Sequence, residues 1–181
     1  MIDFQPRKPW TFFSLSLAVA RAPRQRFAAL AGQRSLAPPL AYLAVLWLLI
    51  AALSGLTALA GGPAVQWLAL AWGPSWHGGL ALCLWLSLRL IQHDAPLGRC
   101  LRIVFYGMWP WLLSAMAPLL PGLAAEAVVV LLAVLILGYI YAGLIAACDL
   151  SAPLAVACLI ICLVLMAIAA AVAGQAGARV W

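Results

Sequence analysis

Acid is scarce in this chain: Asp and Glu together number four against ten Lys and Arg in 181 residues, and charged side chains make up only 8%. So little charge excludes an ordinary soluble domain, in which about a quarter of the residues are charged. Histidine occurs twice, as His77 beside Trp76 and His93 beside Asp94, and with the two expected on opposite faces of a membrane no zinc site can form. The five cysteines, Cys83, Cys100, Cys148, Cys158 and Cys162, contain no C-x-x-C pair, so no disulfide framework or metal ligand set is expected. Cys100 has only His93 near it in sequence and no third group to orient a base, so it is read as a lipid-facing thiol rather than a nucleophile. No enzyme activity and no cofactor are expected.

What the chain has instead is apolar length, with 68% of its residues hydrophobic. Crossing roughly 30 Å of hydrocarbon takes about 20 helical residues. Clear runs of that size cover 41–60, 101–120, 125–147 and 152–173, and a shorter one covers 76–92, extending back to Gln66 if Gly73 and Pro74 form a kink instead of an end. Backbone amides in lipid must bond within their own segment, and the runs show no period-two alternation, so a transmembrane barrel is excluded. The expected fold is all-α, a polytopic transmembrane bundle of about five spans over 41–181, preceded by a basic, amphipathic interfacial arm over 1–40.

The basic residues set the orientation. Arg7, Lys8, Arg21, Arg24, Arg26 and Arg34 precede the first span, and Arg89, Arg99 and Arg102 surround the second connection. With five spans these nine share one side and Arg179 alone lies on the other, which makes the N-terminus cytoplasmic and the C-terminus periplasmic. Position beside a span also turns the net charge of +6 away from nucleic acid and toward membrane orientation.

The arm has an aromatic stretch over 10–20 and a basic stretch over 21–34, with Pro23 suited to the first turn of a new helix. Eleven apolar residues are too few to span, so Trp10, Phe12, Phe13, Leu15 and Leu17 are expected to sink into the headgroup boundary while Arg21, Arg24, Arg26 and Arg34 meet anionic lipid. Arg7, Lys8 and the triplet Ala18, Val19, Ala20 imitate a signal peptide, but cleavage there would leave four arginines on the translocated side, so the segment is expected to stay.

Few residues point to chemistry. Arg89, Asp94, Glu126 and Asp149 all fall near span ends or in connections, and none sits at mid-depth as an ion pathway would need. The unusual feature is the stretch Tyr106, Gly107, Met108, Trp109, Pro110, Trp111 in the third span. Pro110 cannot donate to the Tyr106 carbonyl and should kink the helix, leaving carbonyls that the indole N–H groups of Trp109 and Trp111 could satisfy. Trp67, Trp72 and Trp76 have the placement of an aromatic belt. Gly138, Ala142, Gly143 and Ala147 bring small residues to one side of the fourth span, suited to close helix packing within the bundle or with a second copy.

Taken with the five-span layout, Pro9, Trp10, Thr11, Phe12 and Phe13, then Pro23, Arg24, Gln25, Arg26 and Phe27, Pro38 and Pro39, Tyr106 with Pro110, and Gly143 with Leu144 give the chain its likeness to a known group. It resembles the Yip family of five-span membrane proteins, named for interaction with Ypt/Rab GTPases, whose bacterial members sit in the inner membrane. The resemblance implies a fold and a topology and no catalytic residues. Rab binding is not carried over, because the chain lacks a long cytosolic N-terminal region and has the Ala, Leu and Arg richness of a high-GC bacterial gene. The expectation is a non-enzymatic, multi-pass inner-membrane protein that scaffolds, binds a membrane-protein partner or organises lipid. The alternative is a transporter or channel for a neutral or lipid-like solute, using the kinked third span.

Overall fold

A computed structural model describes residues 3–59 and 67–178, with side chains over 3–59 and 73–173. Two short helices, α1 (Thr11–Arg21) and α2 (Pro23–Leu30), precede α3 (Ala37–Leu59), α4 (Trp67–Leu90) and α5 (Leu97–Gly107). α5 continues through Met108 into a 3-10 helix (Trp109–Leu119), followed by α6 (Leu123–Cys148) and α7 (Ala152–Ala178). No strand occurs among the described residues. Four segments are long and apolar enough to cross a membrane: Ala37–Leu59, Leu97–Leu119, Leu123–Cys148 and Ala152–Ala173. The chain is a multi-pass membrane protein with a helical bundle fold.

Local chemistry explains where the helices begin and end. Pro23 sits in the first turn of α2 and Pro38 and Pro39 in that of α3, positions whose missing N–H would have no intrahelical partner anyway. That is why α3 starts before the 41–60 run expected of it. α6 starts after Gly122, whose φ of +40° lets the chain reverse directly behind Pro121. It ends at Asp149 in the left-handed conformation, with the Leu150 N–H returning to the Leu144 carbonyl.

α4 departs from the expected 76–92. It runs unbroken through Gly73 and Pro74 from Trp67, so the break is inside the helix and not at its end. Gly73 is required there by packing: a Cβ would overlap the far edge of the Trp47 indole. Ser75, His77 and Arg89 make α4 more polar than its neighbours, although its 24 residues give it a length of about 36 Å. Of the expected aromatic belt, the Trp67 and Trp72 side chains lie outside the described residues, and Trp76 is exposed.

One continuous apolar core joins the arm to the bundle, with Phe4, Phe12, Leu15, Val19, Phe27 and Leu30 packed among Tyr42, Leu46, Ile103, Phe105 and Ile140. α2 lies against α6, and α1 against α2 and α5. Phe12 and Leu15, expected in the headgroup layer, are buried in protein. The helical repeat gives α1 two apolar faces, and the face bearing Phe12, Leu15 and Val19 is the one taken by the bundle. Each such side chain contributes about 1.5–3 kcal/mol relative to exposure to water. In the bundle, Leu48, Leu56, Val130, Leu131, Val134 and Ile168 face outward, as lipid-facing positions of a spanning helix do.

Candidate functional site

The densest polar chemistry lies where the arm meets the start of α5. Arg102 is in the second turn of α5, and its side chain is only 1% exposed. Its guanidinium has five N–H donors in a planar fork, and all five are used. Nε and Nη2 donate to Asp3 Oδ2 at 3.1 and 2.8 Å. Nη1 donates to the Gln33 and Gly98 carbonyls at 2.9 and 3.1 Å, and Nη2 also to the Ser35 carbonyl at 2.6 Å. Asp3 is equally satisfied, because its Oδ1 accepts from the Phe4 N–H at 2.9 Å and from the Tyr106 hydroxyl.

The surrounding packing shows why a buried arginine is tolerated. Phe4 is buried edge-on against Tyr42, which is stacked on Phe12 and meets Tyr106 edge-on at a centroid distance of 4.7 Å. The Ser16 hydroxyl proton is directed at the Phe12 carbonyl at 2.8 Å, so the Tyr42 hydroxyl donates to Ser16 Oγ at 2.6 Å. A charge removed from water is costly unless every donor finds a partner and an opposite charge is close. Both conditions hold here.

One residue therefore fastens both ends of the arm, Asp3 at its start and Gln33 and Ser35 at its finish. Arg99 adds a bond from Nε to the Ala31 carbonyl at 3.1 Å. The starts of α3 and α5 consequently lie at the same end of the bundle. By contrast, Arg89 pairs with Asp94 at 3.1 Å with both side chains more than half exposed, a surface contact of small worth.

The sequence counted Arg102, at the start of the 101–120 run, among the orienting charges around the second connection. The structure adds that Arg102 is buried in protein, and that its role needed Asp3, which sequence reasoning passed over. Local spacing carried no sign of the pair, because the two residues are 99 positions apart. The reading of Cys100 as a lipid-facing thiol is also corrected, since Cys100 is buried in the bundle.

The residues of the kink disperse. Tyr106 joins the Asp3 network, Trp109 lies beside Tyr139 at a centroid distance of 6.2 Å, and Trp111 meets His77 edge-on. Pro110 is buried at the first turn of the 3-10 helix. No hydrogen bond from the Trp109 or Trp111 indole to the carbonyls before Pro110 is present among the described residues. The backbone tightens instead, with the Trp111 N–H donating to the Met108 carbonyl at 2.9 Å, the i to i+3 pattern of a 3-10 turn. His77, expected at the outer surface, is buried and accepts at Nδ1 from the Trp47 indole at 3.1 Å.

Of the small residues on α6, Gly143 packs directly on Ile103 of α5, where a Cβ would lie 2.7 Å from Cγ2. Ala142 and Ala147 are buried on that side. Gly138 is not: it is exposed, and a Cβ there would meet nothing within 4 Å. In the arm, Arg21, Arg24 and Arg34 are exposed, whereas Arg26 is half-buried and already engaged. Trp10, Phe13 and Leu17 form an exposed apolar row on α1 between Arg7 and Arg21.

No group of three or more His, Cys, Asp or Glu side chains converges among the described residues. No curated protein and no solved structure matches the chain. The bundle, its proline-broken segment Leu97–Leu119 and most of the docked arm fall within a single family match, the Yip1 domain over residues 17–173, and the chain belongs to that family.

Proposed function

We propose that this protein is a non-enzymatic organiser or scaffold of a bacterial inner membrane, with the arm on the cytoplasmic side gripping acidic lipid headgroups. The observation that carries this reading is the outward face of α1, where Trp10, Phe13 and Leu17 stand exposed beside exposed Arg21 and Arg24 while the opposite face is fixed to the bundle. An apolar row with a basic rim is the composition of a helix that lies in the headgroup boundary. The exposed Arg21, Arg24 and Arg34 supply its basic side, and a membrane-protein partner or a second copy would be held through the spans.

Two features support five crossings with the N-terminus inside. The starts of α3 and α5 meet through Arg99 and Arg102, so a chain that leaves along α3 has to recross before α5, and α4 is the helix between them. Nine of the ten basic residues then share the arm side.

Replacing the exposed Arg21, Arg24 and Arg34 with Gln tests the reading. Each charge near an acidic surface contributes about 1 kcal/mol, roughly fivefold in affinity per residue. Phosphatidylglycerol retained by the purified protein should fall accordingly while zwitterionic lipid does not. Unchanged retention of both would end the lipid-gripping reading, and a crosslinked pull-down from native membranes would identify a protein partner.

A further inference from the structure

Asp3 does not behave like the rest of its segment. Among the described residues ahead of α1, 5–10 are exposed and outside regular helix, and only Asp3 and Phe4 reach into the protein. The Asp3 side chain is 16% exposed where its partner Arg102 is 1% exposed. The carboxylate is thus the outer wall of the site, and the guanidinium the inner one.

The donors that Asp3 occupies form a set of their own. Arg102 presents Nε and Nη2 side by side, and the Tyr106 hydroxyl, one turn further along α5, points to the same carboxylate. The rest of the guanidinium is fixed by the carbonyls of Gln33, Ser35 and Gly98, so the fork stays aimed outward whatever occupies it. A planar fork of this kind binds carboxylate and phosphate oxygens in the same bidentate manner. Arg102 and Tyr106 lie inside the family match of residues 17–173, and Asp3 lies ahead of it. Asp3 is also the sole acid before Asp94, carried on an arm whose other charges are drawn toward acidic headgroups.

We infer that Arg102 and Tyr106 form a phosphate-binding site for an acidic lipid headgroup, and that the Asp3 carboxylate is its built-in competitor, so that headgroup entry releases the start of the arm. The inference rests on the arm lying in the headgroup layer, as proposed above. Phosphate oxygens take the Nε, Nη2 and Tyr106 donors, the Arg102 charge remains paired, and Asp3 returns to water with its segment. Binding of one anion and release of the other leave the site's net charge nearly unchanged, which makes exchange feasible where simple loss of Asp3 would strand a buried cation.

The test uses the full chain in detergent micelles, with phosphatidylglycerol retention read by native mass spectrometry and inorganic phosphate titrated separately. If Asp3 fills the site in about nine molecules of ten, Asp3→Asn raises phosphatidylglycerol retention about tenfold, and adding Tyr106→Phe removes most of the gain. No gain from Asp3→Asn, or a gain untouched by Tyr106→Phe, overturns the site. Inorganic phosphate binding to Asp3→Asn as tightly as the lipid overturns the lipid as ligand. Should Asp3→Asn fail to fold, the unaltered chain still decides: amide exchange over residues 3–10 rises with added phosphatidylglycerol and not with phosphatidylcholine, and a flat response to both overturns the exchange. The Arg21, Arg24 and Arg34 variant tests the lipid grip of the arm through baseline retention, so either reading can fail alone.

Discussion

The carboxylate of Asp3 and the guanidinium of Arg102 meet at 2.8 Å across 99 positions of sequence, and neither has a hydrogen-bonding position left over. Their pairing turns a basic N-terminal arm into part of the bundle. A buried arginine at a helix–arm junction is held by completeness: five donors, four acceptor oxygens and one counter-charge.

Removing the arginine should therefore be among the most damaging single changes. Arg102→Gln strands the Asp3 carboxylate and frees three carbonyls, and breaking a buried pair costs about 3–5 kcal/mol. Arg102→Lys should recover little, because an ammonium cannot reproduce the fork. Thermal unfolding in detergent, followed by circular dichroism, checks both, and a lysine variant as stable as the parent would count against the geometry.

The α5–α6 contact separates two glycines on one helix. Gly143→Ala should destabilise by about 1–3 kcal/mol, the usual cost of overpacking, because its Cβ would stand 2.7 Å from Ile103 Cγ2. Gly138→Ala should be neutral or slightly stabilising, with open space around its Cβ and better helix propensity. Trimming Ile103 to Val should restore part of the Gly143→Ala loss.

Gly73 and Trp47 should show compensation. The atoms that a Gly73 Cβ would strike belong to the outer six-membered ring of the indole, and phenylalanine lacks that outward reach. Gly73→Ala should destabilise by about 1–3 kcal/mol. Trp47→Phe should also cost stability, since it removes the donor to His77 Nδ1 and leaves a buried acceptor unpaired, worth about 1–3 kcal/mol. The double variant should lose less than the two single losses together, and strict additivity would show that the ring and the glycine are not in contact.

Pro110 fixes the change from α-helix to 3-10 helix. Pro110→Leu restores an N–H and should let α5 continue in the α form, which shortens the segment because the rise falls from about 2.0 to 1.5 Å per residue. Trp111 would then rotate away from His77, and disulfide trapping between cysteines introduced at 77 and 111 should slow. Solute flux measured on the same variant examines the transport alternative, for which an unchanged rate would be the negative result.

Some of this was legible in the chain. Four crossing-length segments followed from apolar length alone, because a bilayer of given thickness sets the number of helical residues needed. The breaks at Pro23 and Pro110 followed from a missing N–H, a property of one residue that needs no partner.

Other features were fixed only when the chain folded back on itself. Phe12, Leu15 and Val19 occupy one face of α1 and Trp10, Phe13 and Leu17 the other; both are apolar, so periodicity gave two faces without saying which meets protein. His77 looked like a surface residue until Trp47 covered it. Arg102 looked like an orienting charge, since a count of basic residues treats each as a point near a span end. What decided its role was the return of α5 beside the arm, which brought Asp3, Gln33 and Ser35 within reach of one guanidinium. Apolar length and missing donors are local quantities and belong to the sequence. The pairing of a buried charge is a long-range contact, and only the tertiary structure could supply it.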